Sequence, residues 1–361
     1  MEIIPAKSYG ASGSILNSLK PMNFERNPPK EDEVLIDILY CGVCHSDLHQ
    51  VKNDWGNTIY PCVPGHEIVG KVAKVGSAVT KYKVGDTVGV GCMIDSCGHC
   101  NPCSAGEENY CEGPVSWTAT YNGPMKPDGS GYNTFGGYSD KIVVKESFVL
   151  RIPDALDIKA AAPILCAGIT TYSPLKHWGV KEGSKVGIVG IGGLGHMAIK
   201  LAKALGAEVT AITSDQEKRA DAKRFGASQV LISTDKKSIA QLELTLDFIL
   251  VTIPDEFEVN SYVSLLKKDG VLVTVGLLAP YAKALNNMAM AMHRRSIAGS
   301  LIGGIAETQE VLDFCAQHGI LPEIEMINIQ GINEAFDKMQ DEEVHYRYVI
   351  DMQSLKSEEI S

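Results

Sequence analysis

Residues 41–49 concentrate groups that can bind a metal and move protons. They read Cys-Gly-Val-Cys-His-Ser-Asp-Leu-His, which is two thiols, two imidazoles, a hydroxyl and a carboxylate. Residues 64–67 (Pro-Gly-His-Glu) and 165–168 (Leu-Cys-Ala-Gly) offer an imidazole and another thiol. Two cysteines and one histidine form a zinc site whose fourth position stays open for water or substrate, although free cysteines are also common in protein cores. We predict a catalytic zinc ion held by three side chains: Cys44, His66 and Cys166.

A second cluster of thiols lies within residues 97–111, at Cys97, Cys100, Cys103 and Cys111. Four thiolates complete a tetrahedral zinc shell and leave no position for substrate, which is typical of a structural site. An iron–sulfur cluster is the alternative, because Cys-x2-Cys-x2-Cys also begins the bacterial ferredoxin motif. In that motif the next Cys follows after three residues and precedes Pro, whereas here the gap is seven residues and Glu112 follows. The spacing therefore favours structural zinc.

Length and composition limit the possible classes of protein. The chain has 361 residues, of which 45% are hydrophobic and 21% charged, so we expect a globular protein of about two domains. A net charge of -11 argues against a nucleic-acid-binding surface. The start of the chain lacks the pattern of a signal peptide, and no apolar run reaches the ~18 residues of a membrane span. We expect a soluble cytoplasmic protein whose ten cysteines serve metal binding rather than disulfides.

Hydrophobic patterning predicts two kinds of domain in an α/β protein. Short strands bounded by glycines, at residues 34–40, 67–75, 86–90 and 138–144, predict an irregular, barrel-like β domain. After a helical stretch at 160–166, strands at 185–189, 208–212, 247–252 and 270–275 alternate with helices at 196–205 and 216–225. This alternation predicts a doubly wound parallel sheet. Helices at 307–318 and 331–339 and a strand at 346–350 complete the chain.

The first of these parallel strands leads directly into Gly-Ile-Gly-Gly-Leu-Gly at residues 190–195. Between a strand and a helix, such glycines allow a tight turn whose backbone amides can approach a pyrophosphate. Enzymes that use NAD place an acidic residue at the end of the second strand, but here that position is Thr213-Ser214, followed by Lys218 and Arg219. These residues favour the 2′-phosphate of NADPH, provided that Asp215 serves as a helix N-cap.

Taken in order, these motifs resemble the zinc-dependent medium-chain alcohol dehydrogenases, most closely the cinnamyl-alcohol-dehydrogenase-like branch of NADP-dependent aldehyde reductases. The matching stretches are residues 42–49, 64–70, 97–111, 166–175, 190–195 and 346–348. The resemblance implies a GroES-like catalytic domain at residues 1–166 and 305–361, with a structural zinc loop at 92–111. It also implies a Rossmann domain at residues 167–304, NADP as the cofactor, two zinc ions per chain and a homodimer.

The same resemblance assigns roles to single residues. Glu67 approaches the catalytic metal, Asp47 orients His66, and Ser46 and His49 form a proton relay. Further residues contact the cofactor: His45, Thr170, Gly190, Gly192, Gly193, Leu194, Gly195, Thr213, Ser214, Lys218, Val275, Gly276, Ser300 and Arg347. A pocket suited to a medium apolar or aromatic aldehyde is lined by Trp55, Cys92, Trp117, Leu301 and Ile302.

Other functions remain open at the level of sequence. A quinone reductase of the same fold would keep the glycine turn without needing zinc, and a noncatalytic interaction protein would need only the four-cysteine cluster. Zinc content distinguishes these hypotheses: two ions per chain for the dehydrogenase, none for the quinone reductase and one for the interaction protein. A formaldehyde dehydrogenase or a polyol dehydrogenase of the same family is also possible, although polyol enzymes typically have Glu in place of Cys166.

Overall fold

The chain divides into two compact units. The computed structural model describes residues 3–15, 17–277, 279–341 and 346–357. The first unit combines Met1–Cys166 with Gly303–Ser361, and the second is Ala167–Ile302. Among the described residues, none of the helices combines the length and apolar character that crossing a membrane requires.

The first part of the first unit is mainly β structure. Its elements are β1 Ile4–Gly10, β2 Lys20–Arg26, β3 Glu33–Gly42, α1 His45–Lys52, β4 Ile68–Val75, β5 Thr87–Val90, β6 Met93–Asp95, α2 Asn101–Ser104, β7 Thr118–Ala119, β8 Lys141–Lys145, β9 Leu150–Arg151 and α3 Ile158–Ala161. In β3, three successive side chains, those of Val34, Leu35 and Ile36, are buried, so both faces of the strand are covered there. β3 is therefore an interior strand that carries the chain to the 41–49 stretch.

The second unit alternates helices and strands. Its elements are α4 Ala167–His177, β10 Lys185–Val189, α5 Gly195–Ala204, β11 Glu208–Thr213, α6 Arg219–Phe225, β12 Gln229–Ile232, α7 Lys236–Ala240, β13 Leu246–Val251, α8 Val259–Val263, β14 Leu266–Thr274, α9 Asn287–Ala291 and β15 Ser296–Gly299. The strands form one parallel sheet in the order β12-β11-β10-β13-β14-β15. Numbered along the chain this is the order 3-2-1-4-5-6 of dinucleotide-binding folds, so the predicted doubly wound sheet is confirmed.

The end of the chain returns to the first unit. It adds α10 Ile305–His318, β16 Ile324–Asn328, α11 Ile332–Gln340 and β17 Arg347–Asp351. These strands extend a seven-stranded sheet in the order β16-β17-β3-β4-β5-β9, with β8 also paired to β3. β17 runs antiparallel to β3 and sets Val349 opposite Gly42. β17, from the last part of the chain, therefore lies beside the start of the 41–49 stretch.

The structure corrects several predicted elements. The helix predicted at 216–225 begins only at Arg219, and the prediction that Asp215 is its N-cap is wrong. The Asp215 carboxylate instead accepts a hydrogen bond from the Glu217 amide at 2.8 Å and closes a turn before the helix, a common use of Asp. The strand predicted at 138–144 spans Lys141–Lys145, so Tyr138 precedes it. The β1–β2 hairpin and helix α1 were not predicted from the sequence, because β2 and α1 are rich in polar residues and show little hydrophobic patterning.

Candidate active site

Helix α1 begins where β3 ends, and it positions the first group of functional residues. Cys44 occupies the N-cap position, and the Asp47 carboxylate accepts a hydrogen bond from its amide at 3.0 Å. Gly42 is needed beside it, because a Cβ atom there would lie 1.9 Å from Glu67 Oε2. The turn between strand and helix thus brings Cys44 and Glu67 to the same place.

The predicted metal ligands come together in the first unit. One ligand atom from each of Cys44, His66, Glu67 and Cys166 lies within 4.8 Å of the others, and all four residues are buried. His66 Nε2 lies 3.2 Å from Cys166 Sγ, while Nδ1 lies 3.0 Å from Asp47 Oδ1. With its Nδ1 hydrogen donated to Asp47, His66 presents Nε2 to a metal, which is the usual arrangement of a metal-binding histidine.

This donor set fits zinc. Two sulfur atoms and one imidazole nitrogen are ligands that zinc prefers, and three protein ligands leave a position open. Glu67 Oε2 is buried and has no hydrogen-bond partner among the described residues. Because an unpaired buried carboxylate oxygen is costly, a cation in this cluster would stabilise it.

The electrostatics of the cluster agree with a site for a cation. The pKa of Cys44 lies well below its usual value, chiefly because of its hydrogen bond with Cys166, and the charge of Arg347 contributes. That same hydrogen bond raises the pKa of Cys166 well above its usual value. Burial lowers the pKa of His66, but the Asp47 carboxylate and neighbouring thiols outweigh it and raise the pKa. The three groups thus share protons that a metal ion would displace on binding.

Arg347 lies next to this cluster on β17. Its guanidinium pairs with Glu67 Oε1, and both side chains are almost fully buried. The pair neutralises Glu67, and Arg347 Nε has no partner among the described residues. The structure therefore places Arg347 against Glu67, while its contact with a cofactor pyrophosphate stays a prediction.

The predicted proton relay lies along α1. Ser46 is in the first turn and half-buried, and His49 lies one turn later. His49 Nδ1 is 2.8 Å from Asp54 Oδ2, a partner that sequence analysis missed because Asp54 follows the helix without a recognisable motif. His45, predicted to face the cofactor, is exposed, and its Nε2 lies 3.3 Å from the Met339 carbonyl oxygen. The arrangement gives His49 an acidic neighbour that can orient its ring.

The four-cysteine cluster is also assembled. Cys97 Sγ lies 3.9 Å from Cys103 Sγ, and Cys100 Sγ lies 3.9 Å from Cys111 Sγ. Four sulfurs about 2.3 Å from a tetrahedral zinc are about 3.8 Å apart, so the spacing fits that ion. In the same loop, Glu108 Oε2 accepts a hydrogen bond at 3.0 Å from the Ile305 amide, which lies in the first turn of α10.

The predicted pocket residues lie in both units. The Trp55 ring packs edge-on against His49 at 5.9 Å, and Cys92 Sγ lies 3.8 Å from the Leu165 carbonyl oxygen. A hydrogen bond to Cys166 lowers the pKa of Cys92, so this thiol lies beside the metal cluster. Trp117 is buried, and Leu301 and Ile302 end the second unit.

The glycine turn of the second unit has the geometry of a phosphate-binding loop. Gly190 has a φ of +90°, and a Cβ atom on Gly195 would lie 1.9 Å from the Gly190 carbonyl oxygen, so both positions need glycine. Around Gly192, by contrast, a Cβ atom would meet no described atom within 4 Å. Gly193 and Leu194 complete the turn, and α5 begins at Gly195. The loop therefore leaves space at the N-terminus of α5 that a cofactor phosphate could fill.

The other predicted cofactor residues are distributed through this unit. Thr213 ends β11, and Ser214 follows it on the surface, with Lys218 at the N-cap of α6. Val275 and Gly276 follow β14 and Ser300 follows β15, so they lie at the carboxyl edge of the sheet, where such folds bind ligands. Thr170 is buried in α4.

Comparison with known proteins identifies relatives along almost the whole chain. Residues 30–154 match the family described as alcohol dehydrogenase GroES-like domain, and residues 193–317 match zinc-binding dehydrogenase. Aldehyde reductase YahK of Escherichia coli strain K12 is 52% identical over 350 residues, covering 97% of this chain and 99% of that protein.

Solved structures give the same result. A cinnamyl alcohol dehydrogenase from Sorghum bicolor is 41% identical with a TM-score of 0.93, covering 99% of this chain and 100% of that one. CAD from Helicobacter pylori, solved as a complex with NADP(H), is also 41% identical with a TM-score of 0.89, covering 98% and 99%. The predicted combination of a GroES-like and a Rossmann domain is therefore confirmed, and the chain belongs to the zinc-dependent medium-chain alcohol dehydrogenase family.

Proposed function

We propose that the protein reduces aldehydes to primary alcohols with NADPH, using a catalytic zinc ion in the first unit. The observation that carries this proposal is the open cluster of Cys44, His66 and Cys166 beside Glu67 Oε2, which has no partner in the described part of the chain. An interaction protein would have no need of an open site, and a zinc-free quinone reductase would have no need of these ligands. The names of the aldehyde reductase and the two cinnamyl alcohol dehydrogenase relatives support the same reaction.

The residues of the chain have separate tasks in this reaction. When bound, zinc would polarise the carbonyl oxygen as a Lewis acid, and NADPH would supply the hydride. Cys44, His66 and Cys166 hold the metal, and Asp47 keeps His66 in the required orientation. Ser46 donates a proton to the carbonyl oxygen as hydride adds to the carbon, and His49 restores that proton from solvent.

The cofactor preference follows from the end of β11. Thr213 is 4% exposed, and its Oγ1 accepts a hydrogen bond from the Asp215 amide at 3.1 Å, so the hydroxyl lies at the turn that follows β11. Asp215, although not a helix cap, is held by the Glu217 amide in a local turn. With Ser214 exposed and Lys218 nearby, hydrogen-bond donors and positive charge are available for a 2′-phosphate. We therefore assign NADPH as the preferred cofactor.

The test is kcat/KM for NADPH and NADH with aliphatic and aromatic aldehydes. We expect wild type to prefer NADPH. Thr213→Asp should shift the ratio toward NADH at least about tenfold, because a carboxylate would repel the 2′-phosphate. Ser228→Asp is the matched control, since it adds the same charge immediately before β12, at the amino ends of the strands rather than at the carboxyl end of β11. A wild type that prefers NADH, or lacks aldehyde reduction, contradicts the proposal.

Trp55, Cys92, Trp117, Leu301 and Ile302 are our candidates for the substrate pocket. Their side chains suit a medium apolar or aromatic aldehyde, since three of the five are aliphatic or thiol groups and two are indoles. The aldehyde panel described above tests this class directly.

We also propose a homodimer in a reducing, cytoplasmic environment. β15 is at the edge of the parallel sheet, and Met288 and Met292 of the neighbouring segment are 73% and 71% exposed. An unpaired strand edge with apolar side chains beside it is suited to pairing with a second chain. All ten cysteines are free thiols, which fits metal binding in a reducing compartment.

A further inference from the structure

The carboxylate of Asp47 is fully buried and accepts hydrogen bonds from at least four donors among the residues that the structure describes. Oδ1 receives them from the Gly65 amide and from His66 Nδ1, both at 3.0 Å. Oδ2 receives them from the Cys44 amide at 3.0 Å and from the Tyr138 hydroxyl at 3.3 Å. Three of these donors belong to the predicted metal ligands Cys44 and His66 or to Gly65, the residue before His66. The fourth, Tyr138, has no role in the function derived so far.

Tyr138 is also attached to the segment that carries His66. Its amide donates to the Pro64 carbonyl at 2.9 Å, and the Gly137 amide donates to the Gly65 carbonyl at 2.8 Å. The ring packs directly against Gly65, where a Cβ atom would lie 2.7 Å from Tyr138 Cδ1. The same residue therefore contacts the backbone just before His66 and the carboxylate that orients the His66 ring.

The hydroxyl of Tyr138 acts as a donor in this position. The side chain is fully buried, and burial, followed by the charge of Asp47, raises the pKa of Tyr138 well above its usual value. A phenol that keeps its proton can donate it only to a nearby acceptor, and a buried hydroxyl is normally paired. The Asp47 carboxylate is that acceptor.

We propose that Tyr138 is a positioning residue for the catalytic metal, acting through Asp47. By holding Oδ2, together with the Cys44 amide, it keeps Oδ1 directed at His66 Nδ1, so that His66 Nε2 faces the other ligands. The proposal rests on the proposed function, because it requires that the open cluster bind zinc. Partners of metal-binding histidines commonly contribute about 10-fold to 100-fold to metal affinity.

The test is the affinity of each metal site in Tyr138→Phe, measured by zinc transfer to a chromogenic chelator and by the absorption spectrum after cobalt substitution. We expect the open site to bind metal about tenfold more weakly in Tyr138→Phe than in wild type. This is the low end of the range of about 10-fold to 100-fold given above, because Tyr138 acts through Asp47 and not on His66 directly. The four-cysteine site should be unchanged and reports that the variant is folded. Tyr82→Phe is the matched control, because it also removes one hydrogen bond from a tyrosine of the first unit, to the Val149 carbonyl, and should leave both sites unchanged.

A double-mutant cycle with Asp47→Asn separates positioning from general packing. If Tyr138 acts through Asp47, Tyr138→Phe should change metal affinity much less in the Asp47→Asn protein than in wild type. An equal loss in both proteins, an unchanged open site, or loss of both metals in Tyr138→Phe would overturn the proposal. The proposed function fails separately, and this inference with it, if wild type binds metal only at the four-cysteine site.

Discussion

The two cysteine clusters of the first unit are built in different ways. The four-cysteine cluster comes from one loop, and its sulfur atoms accept hydrogen bonds from nearby backbone amides. The Cys97 amide donates to Cys111 Sγ, and the Cys100 amide donates to Cys97 Sγ, both at 3.4 Å. The open cluster joins residues far apart in the sequence, and its histidine is oriented by a buried carboxylate. The first cluster is therefore a local property of the loop, whereas the second depends on the fold of the whole unit.

The largest expected effect is the loss of enzymatic activity when a ligand of the open cluster is removed. Cys166→Ser should release one zinc ion per chain and lower kcat/KM for aldehyde reduction by about 10⁴-fold, because stabilisation of the developing oxyanion by the metal contributes several kcal/mol. The melting temperature should fall less than in the loop variant described next, since the loop keeps its own metal and the loss is confined to the cation beside Glu67. Metal analysis, kinetics and calorimetry measure the three quantities, and retention of two zinc ions would show that Cys166 is not a ligand.

The opposite pattern is expected for the loop. Cys103→Ser should release the other zinc ion and lower the free energy of unfolding by about 3 to 4 kcal/mol, a part of the ~10–16 kcal/mol that such ions contribute in small zinc domains. Cys62→Ser, at a buried cysteine outside both clusters, is the control for loss of a thiol. Unchanged metal content and unchanged melting temperature in Cys103→Ser would rule out the structural site.

A smaller effect is expected from the proton relay beside the open cluster. The four-cysteine cluster has no position for substrate and needs no such relay. Ser46→Ala should retain both zinc ions and bind NADPH normally, while kcat falls about 10²-fold, the low end for a positioned proton donor. Ser104→Ala, in α2 of the loop, is the control and should leave kcat unchanged. Turnover at the wild-type rate in Ser46→Ala would remove this residue from the mechanism.

The same contrast explains what sequence could predict. The four-cysteine loop was recognisable from spacing alone, because all its ligands lie within 15 positions of one another. Cys44 and His66 lie in local motifs that predict metal ligands, and the structure brings their ligand atoms within 4.8 Å of that of Cys166, while their binding of a metal stays a prediction. Asp54 and Tyr138 carry no motif, since their contacts with His49 and Asp47 arise only from the way loops pack. Asp215 was misassigned because Asp closes turns as readily as it caps helices.

The pairing of β17 with β3 has a consequence for synthesis of the protein. Domains tend to fold in the order in which the ribosome releases them, so the continuous second unit can fold while the first is incomplete. Until β17 emerges, residues 40–42 of β3 lack their partner strand and Glu67 lacks the guanidinium of Arg347. A nascent chain that stops short of Arg347 would therefore carry an exposed strand edge and an uncompensated carboxylate, two features that chaperones and proteases act upon.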